Sequence, residues 1–143
     1  MPGLRELTTP TRRAGTDTPA RQEADVVHVL RHADIAASSS GSVQFEGAGY
    51  GAGVSFFLVN SEPGEGPDLH RHPYAETWIV RAGRARFTVD GDSVEAGAGD
   101  IVVVGPGAAH LFRNVGPGRL EIVCIHAADR MVTEWLTPAP TGT

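Results

Sequence analysis

The chain contains no lysine; all 12 of its basic residues are arginine. Schiff-base chemistry through a lysine amine and the phosphate-cradling lysine of a P-loop are thereby excluded. A single cysteine, Cys124, leaves no intramolecular disulfide and no cysteine pair for a structural zinc site. No apolar run approaches the length of a bilayer span, and residues 1–30 lack the apolar core of a secretory signal. A cytoplasmic protein with no membrane partner is therefore expected. There is no basic excess either: 12 arginines face 17 acids, for a net charge of −5. That balance speaks against nucleic acid as the main partner, because phosphate binding needs a basic footprint.

Glycine (18) and proline (10) together make 28 of the 143 residues, so turns are frequent and long helices are not expected. The length suits one domain. Met1 to Ala24 is rich in Thr, Pro, Arg and Gly without periodic apolar residues, and is expected to be a flexible tail. Residues 25–137 then form a single domain, with 138–143 as a C-terminal tail. Val26–Leu30 and Val54–Val59 read as strands, the second closed by the turn signal Asn60–Gly64. Glu76–Arg81 is another, ending at Gly83. Ala85, Phe87 and Val89 alternate with polar neighbours at the period of a half-buried strand, and Asp90-Gly91-Asp92 suits a hairpin turn. The continuous apolar run Ile101–Val104 reads as a strand covered on both faces. Leu111–Val115 and Leu120–His126 follow, and Met131–Leu136 reads as a last strand or a helical turn. Many short strands at near-regular spacing predict an all-β sandwich or barrel.

Chemistry concentrates in Leu69-His70-Arg71-His72-Pro73-Tyr74-Ala75-Glu76. In a strand, residues two apart share a face, so His70 and His72 present two imidazoles side by side, and Glu76 returns to that face beyond Pro73. Two imidazoles and a carboxylate suit a divalent transition metal. His110 follows a Gly-Pro-Gly turn and is placed to add a fourth ligand across a small barrel. A His-x-His pair alone is commonly two surface loop histidines. The nearby acid and a distant histidine framed by glycines favour the metal.

These residues resemble the cupins. The first cupin motif, G(X)5HXH(X)3,4E(X)6G, is matched by Gly64, His70, His72, Glu76 and Gly83. The second, G(X)5PXG(X)2H(X)3N, is similar to Gly99–Asn114, with Gly107, His110 and Asn114 in register. One position departs: Gly105 stands where the motif has proline, and Pro106 follows it. Pro106-Gly107 still suits the centre of a type II turn. The resemblance implies a double-stranded β-helix, or jelly-roll barrel, with His70, His72, Glu76 and His110 as metal ligands. Three neutral imidazoles and one carboxylate leave a divalent ion at net +1, with coordination positions open as in a catalytic site. Fe or Mn is favoured as the metal, with Ni, Zn or Cu as alternatives.

Around these ligands, Trp78, Phe87, Phe112 and His126 are candidate pocket residues. His126 is also a candidate for an outer hydrogen bond that tunes the metal. Glu76 and Tyr74 are the candidate catalytic groups, Tyr74 as a proton donor. Cys124 reads as a small buried hydrophobe. The first functional expectation is a metal-dependent oxygenase of the dioxygenase type, an oxidoreductase acting on a small oxygenated organic molecule. The second is a redox-neutral isomerase, cyclase or decarboxylase, and the third a small-molecule-binding module without turnover. A homodimer is expected, formed by packing barrel faces and exchanging an N-terminal strand at Val26–Leu30.

Overall fold

A computed structural model describes residues 26–136. The expected tails, residues 1–24 and 138–143, lie outside the described residues, as do the boundary positions 25 and 137. Ten strands run β1 (Val43–Glu46), β2 (Ser55–Ser61), β3 (His70–Arg71), β4 (Glu76–Ala82), β5 (Arg84–Val89), β6 (Asp92–Gly97), β7 (Ile101–Val104), β8 (His110–Asn114), β9 (Leu120–His126) and β10 (Glu134–Trp135). They form two antiparallel five-stranded sheets, ordered β1-β2-β9-β4-β7 and β10-β3-β8-β5-β6. Apart from the β1–β2 and β5–β6 neighbours, successive strands alternate between the sheets, which is the jelly-roll wiring. No helix among the described residues is long and apolar enough to cross a membrane.

Turn chemistry sets the switches between sheets. Asp90 (φ 48°) and Gly91 (φ 87°) form the β5–β6 hairpin, the positive-φ pair that such a turn requires. Gly83 joins β4 to β5 with φ +80°, and a Cβ there would meet the Arg119 carbonyl oxygen at 2.3 Å. The first motif ends in glycine for both reasons. At the second motif, Ala108 N–H donates to the Gly105 carbonyl at 3.4 Å and Gly107 has φ +78°. This is the expected type II turn, with proline shifted by one place. Gly107 N–H also donates to the His72 carbonyl at 2.7 Å, tying the turn before His110 to the His70–His72 strand.

Strand pairing stacks the inward residues in rungs. Ser55, His126, Glu76 and Val104 share one rung of the first sheet, and Phe57, Cys124, Trp78 and Val102 the next. In the opposite sheet His70 pairs with His110, and Phe112 with Phe87 one step deeper. Polar ligands thus collect at one end. Below them Trp78, Val80, Phe87, Leu120, Ile122 and Cys124 are buried and form the core.

Two expected strands differ. Val26–Leu30 forms no strand: Val26, Val27 and Val29 are 83%, 70% and 61% exposed. β-branched residues favour a strand only where a neighbour supplies the ladder, and none pairs here. Ile101–Val104 is a strand, but not one covered on both faces, since Ile101 and Val103 are 65% and 66% exposed. β7 is the edge of its sheet, and its outward residues continue an apolar outer face in register. One row is Phe45, Phe56, Ile125, Thr77 and Val103; the next is Val43, Leu58, Val123, Ile79 and Ile101. The last segment resolves as the short strand Glu134–Trp135.

Candidate metal centre

His70 and His72 flank Arg71 on β3 and its exit, and the alternation of a strand turns both imidazoles inward while Arg71 faces out to Glu134. Glu76 enters at the start of β4 and His110 at the start of β8. The ligand atoms of His70, His72, Glu76 and His110 all lie within 4.8 Å of one another, and all four residues are buried. Their ring orientations are fixed from behind. His70 Nδ1 lies 2.6 Å from the Asp68 carbonyl, His72 Nδ1 2.7 Å from the Val132 carbonyl and His110 Nδ1 2.8 Å from the Ala108 carbonyl. A carbonyl only accepts, so each Nδ1 carries the proton and each Nε2 turns to the centre.

Glu76 Oε2 lies 2.9 Å from His110 Nε2 and 3.3 Å from His72 Nε2. His72 Nε2 is buried without a hydrogen-bond partner. A lone pair facing a carboxylate oxygen in a buried site is unfavourable unless a cation lies between them. The donor set therefore fits a divalent transition metal: three unprotonated Nε2 atoms and one carboxylate oxygen, with each imidazole anchored from outside. Oε1, by contrast, is already engaged, accepting from Trp78 Nε1 at 2.9 Å. Glu76 is thus oriented with Oε2 turned to the centre, within hydrogen-bond distance of His110 Nε2.

Electrostatics favours a neutral His70 and an ionised Glu76, while the carboxylate draws His110 toward its protonated form until a cation takes the proton's place. Burial lowers the His70 pKa to about 4, helped by the neighbouring His110 and His72, so this imidazole is neutral near pH 7. Burial alone would raise Glu76, but the imidazoles of His110, His126 and His72 outweigh it and hold the carboxyl well below its usual range. Burial pushes His110 down, yet the Glu76 carboxylate and the Ala108 carbonyl outweigh it and raise its pKa. Burial, reinforced by Glu76, pushes the Cys124 thiol well up, so Cys124 is an inert wall residue.

His126 is the fourth imidazole of the cluster. It is 1% exposed, pairs across the sheet with Glu76, and its Nε2 stands 3.2 Å from Glu76 Oε1 without an aligned hydrogen bond. Its Nδ1 lies 2.7 Å from the Tyr74 hydroxyl, which accepts from Val132 N–H at 3.0 Å. Tyr74 is therefore not at the centre as expected. Its ring stacks on His72 at 5.1 Å and its hydroxyl reaches the centre only through His126. Nothing local in the sequence signals the approach of His126 to Glu76, because it depends on the β4–β9 register.

A cavity of about 270 Å³ opens over the cluster, lined by Trp78, Phe112 and His126, with Phe57 and Cys124 beside them. Phe87 does not line it. Its ring stacks on Trp78 at 4.6 Å, one strand farther across the sheet than Phe112, because alternation fixes the side a residue faces but not which strand borders the cavity. Trp135 stands at the mouth, 61% exposed, with its ring 5.2 Å from that of His70.

Residues 57–126 match the family model of the cupin domain. With the jelly-roll wiring and both motifs in place, the chain belongs to the cupin superfamily. It is 35% identical over 72 residues to mannose-1-phosphate guanylyltransferase of Escherichia coli K12, and 33% identical over 72 residues to the Salmonella typhimurium enzyme of that name. Each match covers 50% of this chain but only 15% of the relative. Among solved structures, a single-site mutant of Bacillus subtilis oxalate decarboxylase superposes with a TM-score of 0.62 at 26% identity, over 71% of this chain and 29% of that one. A double-stranded β-helix protein from Klebsiella pneumoniae superposes with a TM-score of 0.58 at 24% identity, over 70% of this chain and 88% of that one.

Proposed function

We propose that this cupin is a metal-dependent enzyme, an oxygenase acting on a small oxygenated organic molecule that enters the cavity above His70, His72, Glu76 and His110. The observation that carries this reading is the donor set itself: three anchored imidazoles and a single inward carboxylate oxygen at the floor of a largely apolar cavity. A closed structural site would have no cavity above it. A bound Fe or Mn supplies Lewis acidity and access to one-electron chemistry with O2.

The chain's own residues do the rest. Trp78 holds Glu76 in one orientation through Oε1. Phe57, Trp78 and Phe112 exclude water from the cavity floor. The Tyr74 pKa is raised, chiefly by burial, so its hydroxyl keeps its proton and hydrogen-bonds to His126 beside the Glu76 carboxylate. A redox-neutral decarboxylase is the second reading, favoured by the likeness to oxalate decarboxylase, for which Mn(II) centres are described. Metal analysis of freshly made protein, followed by oxygen-electrode assays of the Fe- and Mn-loaded forms with small oxygenated acids, alcohols and ketones, separates the two. Oxygen uptake coupled to substrate loss supports the oxygenase. Carbon dioxide release without oxygen uptake replaces it with the decarboxylase.

A further inference from the structure

We infer that the cavity selects an uncharged, largely apolar molecule, carrying oxygen atoms at the end over the metal cluster and a hydrogen-bonding group at the end near Ser61. This rests on reading the cavity as a substrate site and adds the chemical class of its occupant.

The first observation is the charge of the wall. Among the described residues lining the cavity, the ionised side chains are the carboxylates Glu76 and Glu65, and no arginine is among them. With no lysine in the chain, arginine is the one permanent cation it has. The arginines that reach the rim are engaged elsewhere. Arg119 donates to Asn60 Oδ1, the Ser40 carbonyl and Glu62. Arg113 donates to the Pro67 and Phe112 carbonyls and lies 3.6 Å from Asp68. A small dianion such as oxalate would carry one negative charge more than the net +1 of a divalent ion bound with Glu76, and no side-chain cation of the wall would offset it. Burying an unpaired charge is costly, so the wall disfavours that class.

The second observation is Ser61. It is 5% exposed, lines the cavity, and its hydroxyl has no hydrogen-bond partner. The other serines near that end are occupied: Ser42 Oγ bonds Asn60 N–H and the Asn60 carbonyl, and Ser40 Oγ lies 3.2 Å from Ser38 Oγ. Buried hydroxyls nearly always find a partner, so an orphan in the wall of a cavity marks where a ligand group belongs. Phe57, Val59 and Ser61 face inward in turn along β2, leading away from the His126 rung. At about 3.3 Å per residue, Ser61 lies about 13 Å along the strand from Phe57. Between the two polar ends the wall is Phe57, Val59, Trp78, Phe112 and Cys124. The volume matches that of about nine waters at roughly 30 Å³ each, enough for a single ring with a short chain.

The test uses the Zn(II)-loaded protein, which binds without redox turnover, and calorimetric titration under argon with 4-butylcatechol, 4-(4-hydroxybutyl)catechol and oxalate. Both catechols are expected to bind at least tenfold more tightly than oxalate. Ser61→Ala is expected to weaken the hydroxybutyl probe about fivefold, the worth of one hydrogen bond, while leaving 4-butylcatechol and the zinc content unchanged. Because the hydroxyl it removes has no partner, the variant keeps or raises the thermal midpoint, whereas a serine with a purely structural role would lower it. Oxalate binding as tightly as the catechols, or equal affinity of both proteins for the hydroxybutyl probe, overturns the inference. Since zinc supports no oxygen chemistry, these results stand apart from the oxygenase reading, which the oxygen-electrode assay decides separately.

Discussion

Replacing Glu76 with glutamine tests the orientation of the whole cluster. Trp78 Nε1–H donates to Oε1 at 2.9 Å, so a glutamine is expected to set its carbonyl oxygen there. Its amide nitrogen then falls where Oε2 stands, 2.9 Å from His110 Nε2 and 3.3 Å from His72 Nε2. An amide NH2 has no lone pair for a metal and donates to the same nitrogens a metal would use. The substitution exchanges a ligand for a competitor. Apparent binding free energies of about 10–16 kcal/mol for four-ligand zinc sites give about 3 kcal/mol per ligand, or about 100-fold in Kd. At saturating metal, a 100-fold weaker Kd removes about 2.7 kcal/mol of metal-conferred stability. At about 4 °C per kcal/mol, the metal-induced rise in Tm shrinks by about 10 °C. The metal-free variant is expected to melt within about 1 kcal/mol of the parent, because the amide restores hydrogen bonds to the imidazoles. Thermal melts with and without Zn(II), paired with metal content by mass spectrometry, read both quantities. A Kd within about threefold of the parent, well under the predicted two orders of magnitude, together with an undiminished rise in Tm, would refute the reasoning and leave a three-histidine site.

Three further outcomes are expected. His70→Ala and His110→Ala lose bound metal yet keep the far-UV circular dichroism of the parent, because both side chains lie in the polar rung above the apolar core; unfolding of either variant would make the site structural. Trp78→Phe loses the Nε1 bond to Oε1, costs about 1–3 kcal/mol in stability and changes the Mn(II) electron paramagnetic resonance spectrum as the freed oxygen reorients; an unchanged spectrum counts against the role given to Trp78. The apolar outer face of the β1-β2-β9-β4-β7 sheet is proposed to pack against a second copy of the chain, so light scattering is expected to give about twice 15.0 kDa and Val103→Glu a monomer; a parent mass near 15.0 kDa at micromolar concentration removes the dimer.

The cluster of His70, His72, Glu76 and His110 was legible because three of its members follow a short-range period and the fourth follows a recognisable turn. His70, His72 and Glu76 lie at even steps, and the Gly105–Ala108 turn carries His110 into the same rung. Features set by pairing over long separations were not. The approach of His126 to Glu76 follows from the β4–β9 register, and neither strand encodes it alone. The exposure of Ile101 and Val103 follows from β7 being an edge strand, a fact about neighbours that an apolar run cannot report. Val26–Leu30 shows the same limit from the other side, with strand composition but no ladder to join. Phe112 and Phe87 share a rung by direct pairing, yet only Phe112 lines the cavity, because β5 stands one strand farther from β3 than β8 does and its Phe87 stacks on Trp78.

Rung order also explains how one small barrel holds a polar cluster without losing its core. His126, Glu76, His70 and His110 share the end rung with Ser55 and His72 stands just past β3; loop carbonyls meet Nδ1 of His70, His72 and His110, and the Tyr74 hydroxyl meets that of His126. The residue that joins the two layers is Trp78. Its ring is wholly buried and packs on Phe87, while its single N–H reaches up to Glu76. The apolar core thus fixes the orientation of the one carboxylate, and that carboxylate determines which oxygen faces the three Nε2 atoms. Burial of the Trp78 ring does not depend on the metal, so the carboxylate is oriented before any metal arrives. Site geometry is accordingly set by core packing, and the metal-free barrel is expected to keep its fold and the orientation of Glu76 while melting at a lower temperature.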